Sequence, residues 1–260
     1  MNTWPDRRPR MARTRADEEP LAGPVLIVFA REPIPGQTKT RLIPRLGARN
    51  AAVLADAFIR DALSKASHVG SIAIAAATTG DPRHSRYFCG LARRFGAELI
   101  GQGEGGLGAR MARVLMRYSE RGAILMGADT PSLPVVLLAR GVALMDRARL
   151  VIGPSLDGGY YLMGVRGPLP DIFRNIRWGR RTVLEETVAG LKRDRMKYAL
   201  APAWYDIDRW TDVMLLAEHL RVIEATGAPS PCPATARVLA KIFSKGSLRG
   251  DPSVTPTELS

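Results

Sequence analysis

From Val25 onward, short apolar runs alternate with stretches whose apolar residues recur at helical spacing. Val25–Ala30 (VLIVFA), residues 71–77, Glu98–Gly101 and residues 123–128 and 150–153 have the length and composition of buried strands. Between them, Leu54, Phe58 and Ala62 share one helical face, as do Met111, Leu115 and Tyr118. Strands and helices alternating at this length predict parallel βαβ units and a doubly wound sheet, an α/β architecture. The rhythm changes after Gly153. Residues 157–164 read as a turn running straight into a strand, 180–193 as a helix, and 197–200 and 205–207 as extended segments. Val213, Leu216, Ala217, Leu220 and Ile223 form an amphipathic stripe, and residues 234–243 predict a last short helix. Outside this region, residues 1–23 and 246–260 lack hydrophobic periodicity and read as disordered tails around a single domain of residues 24–245.

Composition narrows the function classes. The chain of 260 residues is long enough to bury a substantial core. No apolar run approaches the ~18–20 residues of a membrane span, and the Arg-rich N-terminus lacks the apolar centre of a secretory signal, so a cytoplasmic protein is expected. Cys89 and Cys232 stand far apart, and His68, His84 and His219 lack ligand spacing, which argues against a disulfide scaffold or a zinc site. The net charge of +13 invites a nucleic-acid reading. The cations are scattered arginines with only six lysines, and no aromatic-plus-basic motif accompanies them. That pattern favours small phosphorylated ligands over polymers.

In a parallel α/β sheet, ligands bind outside the carboxyl ends of the strands. Four polar features fall there. The loop REPIPGQTKTRL, residues 31–42, follows the first strand and brings Gly36, Lys39 and Arg41 together. Its N–H groups and cations suit phosphate oxygens, and a stiff connector would use the same prolines and glycine. It lacks the glycine before lysine of a Walker A loop. The segment MGADTP, residues 126–131, ends the fourth strand with Asp129, which can hold Mg²⁺ beside substrate phosphates or cap a turn. In DIDRWT, residues 206–211, Asp206 and Asp208 at i and i+2 of an extended segment point the same way and would complete a metal site with Asp129. Alternatively, Asp208 or Thr211 caps the following helix. Lastly, the glycines of residues 101–108 (GQGEGGLG) open a helix and permit close backbone approach to a base or ribose, while residues 157–160 (DGGY) carry the Asp-Gly signal of a hairpin; a flexible turn would account for either segment.

Taken together in this order, FAREPIPGQTKTRL, QGEGGLGARM, GADTPSLP, VIGPSLDGGYYLMGV, IRWG and YDIDRWTDVMLL resemble the DUF2064 family of glycosyltransferase-A-like proteins. That family is related to the 2-phospholactate guanylyltransferases and, more distantly, to the molybdenum-cofactor nucleotidyltransferases. The resemblance implies a three-layer α/β/α sandwich of the nucleotide-diphospho-sugar transferase type. It also implies site roles. Gly36, Lys39 and Arg41 would hold nucleotide phosphates, and Gln102 and Gly108 would line the base pocket. Asp129, Asp206 and Asp208 would carry Mg²⁺ or Mn²⁺, while Asp157, Gly158, Gly159 and Tyr160 would face the acceptor. Three positions depart from the pattern: Gly127 precedes Asp129 where many glycosyltransferases have a second aspartate, Gly106 replaces an acidic residue, and Trp210 a proline.

The leading expectation is therefore glycosyl transfer from a nucleotide sugar to a small-molecule acceptor, with Lys39, Arg41, Asp129 and Asp157 in the catalytic machinery. Nucleotidyl transfer from a nucleoside triphosphate is the nearest rival, with Arg177, Arg180 and Arg181 placed to receive an acceptor phosphate or carboxylate. A non-catalytic binder of nucleotides or nucleic acid follows from net charge alone and leaves the carboxylates unexplained.

Overall fold

The computed structural model describes residues 23–70 and 73–244. Apart from Gly23, both tails expected at the termini lie outside these residues, as do Ser71 and Ile72 of the second expected strand. Seven strands form one sheet: β1 (Val25–Ala30), β2 (Ala73–Thr78), β3 (Glu98–Gly101), β4 (Ala123–Gly127), β5 (Leu150–Pro154), β6 (Tyr160–Val165) and β7 (Ala199–Leu200). Their spatial order is β3-β2-β1-β4-β6-β5-β7. All neighbours pair in parallel except those of β6, which runs antiparallel to β4 and β5. The expected lack of a helix between the fifth and sixth strands explains that reversal, because a short turn can return a chain only antiparallel.

Helices α1 (Ile43–Ser67), α2 (Arg86–Phe95) and α4 (Val135–Ala143) cover one face of the sheet; α3 (Leu107–Met116) and α5 (Val183–Arg193) cover the other. Alternate residues of β1 divide accordingly. Leu26 and Val28 pack with Ile59, Leu63 and Phe88, whereas Val25 and Ile27 pack with Met111, Val114 and Leu115. Every one of these strand residues is essentially inaccessible to water. That is why the central strands read as continuous apolar runs, each such side chain stabilising the fold by about 1.5–3 kcal/mol. The three-layer α/β/α sandwich expected from the sequence is the fold observed. A smaller third core joins the first half of α1 to α6 (Trp210–Ala225) and α7 (Pro233–Ser244) through Phe58, Ile207, Val213, Leu216 and Leu239.

Two departures from the expected elements have local causes. Tyr205–Ile207 forms no strand; only Trp204 makes a bridge, to Ser155, before the chain turns away and Ile207 N–H donates to the Asp129 carbonyl at 2.8 Å. The helix expected from Arg180 begins at Val183, because Arg180–Thr182 wraps around the turn before β6 instead. A buried polar cluster fixes the end of β4 against α1. Asp61 accepts hydrogen bonds from the Ala234 and Thr235 N–H groups at 3.0 and 2.8 Å and so caps α7. One turn later, the Lys65 ammonium donates to the Pro131 carbonyl, two residues beyond Asp129. Burial pulls the Lys65 pKa below that of a free lysine.

Candidate active site

From β1 the chain proceeds outward to β2 and β3, and it returns to the far side of β1 with β4. The strand order therefore reverses between β1 and β4, and a crevice opens at their carboxyl ends. A cleft of about 990 Å³ lies there, lined by the 37–41 loop, Asp129, Asp157, Tyr160, Asp206 and Asp208. Residues from four segments, far apart in sequence, thus meet in one place.

The 31–42 loop turns at Gly36, whose φ of +84° lies in the left-handed region that glycine adopts without strain. Thr38 Oγ1 closes the turn by donating to the Glu32 carbonyl at 3.1 Å. Lys39 is one of the few residues other than glycine with positive φ, at 48°. Its side chain is only 6% exposed and sits over the Phe58 ring, 5.7 Å from the centroid. The ammonium donates to the Ile207 carbonyl at 2.6 Å and pairs with Asp129 Oδ1 at 2.9 Å and Asp208 Oδ1 at 3.6 Å. Arg41 completes the group by pairing with the other oxygen of Asp208. The two cations expected to grip phosphates are, in this state, the counter-ions of the two carboxylates expected to grip a metal.

Asp206 does not join them. It accepts from Ser155 Oγ at 3.1 Å and faces Asp157. Burial first, and the negative charge of Asp157 second, raise its pKa above that of an ordinary aspartate. Asp206 is thus held by Ser155 while Asp208 is held by Arg41 and Lys39, so the two carboxylates have different partners. Among the described residues, no three His, Cys, Asp or Glu side chains are grouped closely enough to hold a metal by themselves. The pair Asp129 and Asp208 nonetheless converges on one positive charge, the Lys39 ammonium. Hard-cation sites with two protein carboxylates take their remaining oxygens from water and substrate phosphates, so the donor set fits Mg²⁺ or Mn²⁺ with those co-ligands. The residue at the cap of α6 is Arg209, and Asp212 in the first turn reaches back to accept from the N–H groups of Asp208 and Arg209 at 3.0 and 2.6 Å; neither Asp208 nor Thr211 is the cap.

The raised pKa of Asp206 has a consequence for stability. A carboxyl whose folded pKa exceeds its unfolded value favours folding while protonated and opposes it once both states ionise. Stability from this group is therefore lost as pH rises through the interval between the unfolded and folded pKa. Asp206→Asn is expected to raise Tm at neutral pH and to leave it unchanged at a pH below both pKa values, measured by thermal melts across pH.

The glycine-rich segments have more structural work than the sequence suggested. Gln102 is buried, its amide nitrogen donating to the Ala30 and Ala77 carbonyls at 2.8 and 2.9 Å, while Oε1 accepts from Arg110 at 3.0 Å. Both donors are thus committed to tying the ends of β1 and β2 together, which leaves neither for a base. Gly108 is buried against Trp178; a Cβ there would come within 2.9 Å of the indole. Its role is close packing. Gly158, with φ +91°, lies directly against the Arg181 backbone. Gly159 N–H donates to Asp157 Oδ1 at 2.8 Å, and Tyr160 meets Trp178 edge to face at 6.4 Å. Burial pushes the Tyr160 phenol pKa up, so it remains protonated. Arg177 pairs with Glu186 at 2.7 Å between side chains and is not among the residues lining the cleft. Arg180 and Arg181 do line the cleft and form no ion pair among the described residues. Sequence reasoning passed over Ser155, Trp178 and Arg110, all on the cleft wall. The Arg110 Nε is buried without a partner among the described residues. Only Arg110 left a signal, a cation one turn into a helix after a glycine run.

The model of the family described as "Uncharacterized protein conserved in bacteria (DUF2064)" matches residues 59–180. The chain carries a DUF2064 region. This DUF2064 region contains Asp129, the 157–160 turn and Trp178, whereas the Lys39 loop precedes it and Asp206 and Asp208 follow it. A Desulfovibrio desulfuricans G20 protein, provisionally described as a nucleotide-diphospho-sugar transferase, is 26% identical over 85% of this chain and 95% of its own, with a TM-score of 0.72. The 4-diphosphocytidyl-2C-methyl-D-erythritol synthase of Anaerococcus prevotii DSM 20548 is 12% identical over 76% of this chain and 96% of its own, at a TM-score of 0.53. The second likeness establishes the fold alone. A search of the curated proteins by sequence gives no match. Among the described residues, no helix is long and apolar enough to cross a membrane.

Proposed function

We propose that residues 24–245 form one transferase domain that uses an activated nucleotide, with a nucleotide sugar as donor and a divalent cation, Mg²⁺ or Mn²⁺, at Asp129 and Asp208. The observation that carries this reading is the convergence of Lys39, Arg41, Asp129 and Asp208 at the switch point between β1 and β4. The relative from Desulfovibrio, described as acting on nucleotide-diphospho-sugars, supports the choice of donor.

When bound, the cation would supply positive charge to the departing diphosphate. Arg41, more than half exposed, is free to turn from Asp208 to a phosphate oxygen. Tyr160, Trp178 and Met163 give one side of the cleft a largely apolar wall against which a sugar or base could pack. Asp157, on a turn held by its own hydrogen bond to Gly159, is placed to orient an acceptor hydroxyl. Asp206 beside it, with Ser155, completes an acidic wall.

A second reading has its own support. Arg180 and Arg181 face the cleft without ion-pair partners among the described residues, which suits an anionic acceptor and nucleotidyl transfer from a nucleoside triphosphate. The products discriminate. Incubation of the protein with Mg²⁺ and a panel of nucleotide sugars is expected to release a nucleoside diphosphate, slowly to water and faster to acceptor. Pyrophosphate released from a triphosphate would establish the second reading, and release of neither would remove both.

A further inference from the structure

The Lys39 ammonium occupies the point on which Asp129 and Asp208 converge, and it is not a casual surface contact. Three oxygens surround it: Asp129 Oδ1 at 2.9 Å, Asp208 Oδ1 at 3.6 Å and the Ile207 carbonyl at 2.6 Å. Its side chain is 6% exposed, and the ammonium lies over the Phe58 ring, 5.7 Å from the centroid. An exposed lysine would not give up its hydration and rotamer freedom for contacts of this kind unless the site were shaped for a cation. The backbone contributes as well, since Lys39 holds a left-handed conformation that costs a non-glycine residue strain.

The charges balance without any ligand. Lys39 and Arg41 offset Asp129 and Asp208, so the group is neutral. A free divalent cation entering it would leave an excess of positive charge at close range. A nucleotide alone would meet two cations already paired with carboxylates. A nucleotide and a cation arriving together satisfy both sets: phosphate oxygens take the ammonium and guanidinium, and the carboxylates take the metal.

From this arrangement we infer that Lys39 is a resident counter-ion of the carboxylate pair, which makes divalent-cation and nucleotide binding mutually dependent. The inference rests on the proposed nucleotide-and-metal reading of the same cleft. It makes Lys39 a positioning residue as well as a phosphate contact. In the empty cleft it keeps two like-charged carboxylates together, and it blocks the metal until phosphates draw it away. The coupling is reciprocal, because a change in one ligand's affinity by the other requires the same factor in return.

Isothermal titration of Mn²⁺ into the full-length protein, without nucleotide, tests this directly. Wild type is expected to bind weakly, and Lys39→Met at least tenfold more tightly. Lys39→Gln retains a donor for the Ile207 carbonyl, so it guards against a variant that fails to fold, and it is expected to behave like Lys39→Met. With a nucleoside diphosphate present, wild-type affinity should rise and the advantage of the variants should shrink. If both variants bind Mn²⁺ no more tightly than wild type, the inference is overturned while the metal reading stands. If none of the three proteins takes up Mn²⁺, with or without any of the common nucleoside diphosphates, the metal reading falls and the inference with it.

Discussion

Gly158→Ala is expected to destabilise the protein by about 3–5 kcal/mol, a large share of the ~5–15 kcal/mol that holds a typical domain together. Two effects add. The φ of +91° is strained for any L side chain, at roughly 1–3 kcal/mol. The greater effect is steric, because a Cβ would fall 2.0 Å from the Arg181 carbonyl oxygen and 2.7 Å from its carbon. Those are backbone atoms, and no rotamer change relieves the clash. The Arg180–Thr182 segment would have to move, breaking the Leu184 N–H bond to the Gly158 carbonyl at 2.9 Å. Thermal unfolding should show Tm lowered by about 6–20 °C, at about 2–4 °C per kcal/mol for a domain of this size. Gly36→Ala is the comparison, since it shares a left-handed φ but meets no atom within 4 Å. It should lose only about 1 kcal/mol. Equal losses in the two variants would show that strain, and not the backbone contact, governs both sites.

The second large effect is on turnover. Asp129→Asn is expected to lower kcat by about 10²–10³-fold, the loss typical of removing one fixed charge-stabilising group. The fold should survive, because the side chain is half exposed and the hydrogen bond that anchors this residue, from Ile207 N–H, uses its backbone carbonyl. The isosteric amide keeps the shape while removing the charge that faces Lys39. A variant that melts like wild type and turns over normally would remove Asp129 from the chemistry.

Much of the sheet was legible in the chain because central parallel strands are buried on both faces and betray themselves as apolar runs. The position of Lys39 and Asp129 at strand ends followed from the same pattern. Their mutual pairing did not. It depends on β4 returning beside β1, past β2 and β3, a choice set by packing of whole layers. Asp206 and Asp208 take different partners because Ser155 and the Lys39 loop, which come from distant parts of the chain, meet this segment at different points. The commitment of Gln102 to two strand-end carbonyls, and of Arg177 to Glu186, could not be read from spacing, since each depends on where a distant backbone or helix happens to lie. Gly108 belongs to a segment whose glycines suggest close approach and Gly158 to one that reads as a hairpin turn, and what approaches each is the protein's own Trp178 and Arg181.

The central claim is that the cleft between β1 and β4 binds an activated nucleotide together with a divalent cation through Asp129. Its most direct test is the melting temperature of wild type and Asp129→Asn against nucleotide sugars and nucleoside triphosphates, each with and without Mg²⁺. A ligand at about 100 times its Kd stabilises the folded state by about 2.7 kcal/mol, or roughly 5–10 °C here. The account predicts such a rise for wild type with at least one nucleotide, only when Mg²⁺ is present, and its loss in Asp129→Asn. A nucleotide-induced rise that is the same without Mg²⁺ and in Asp129→Asn, or no rise with any of these ligands, would contradict it.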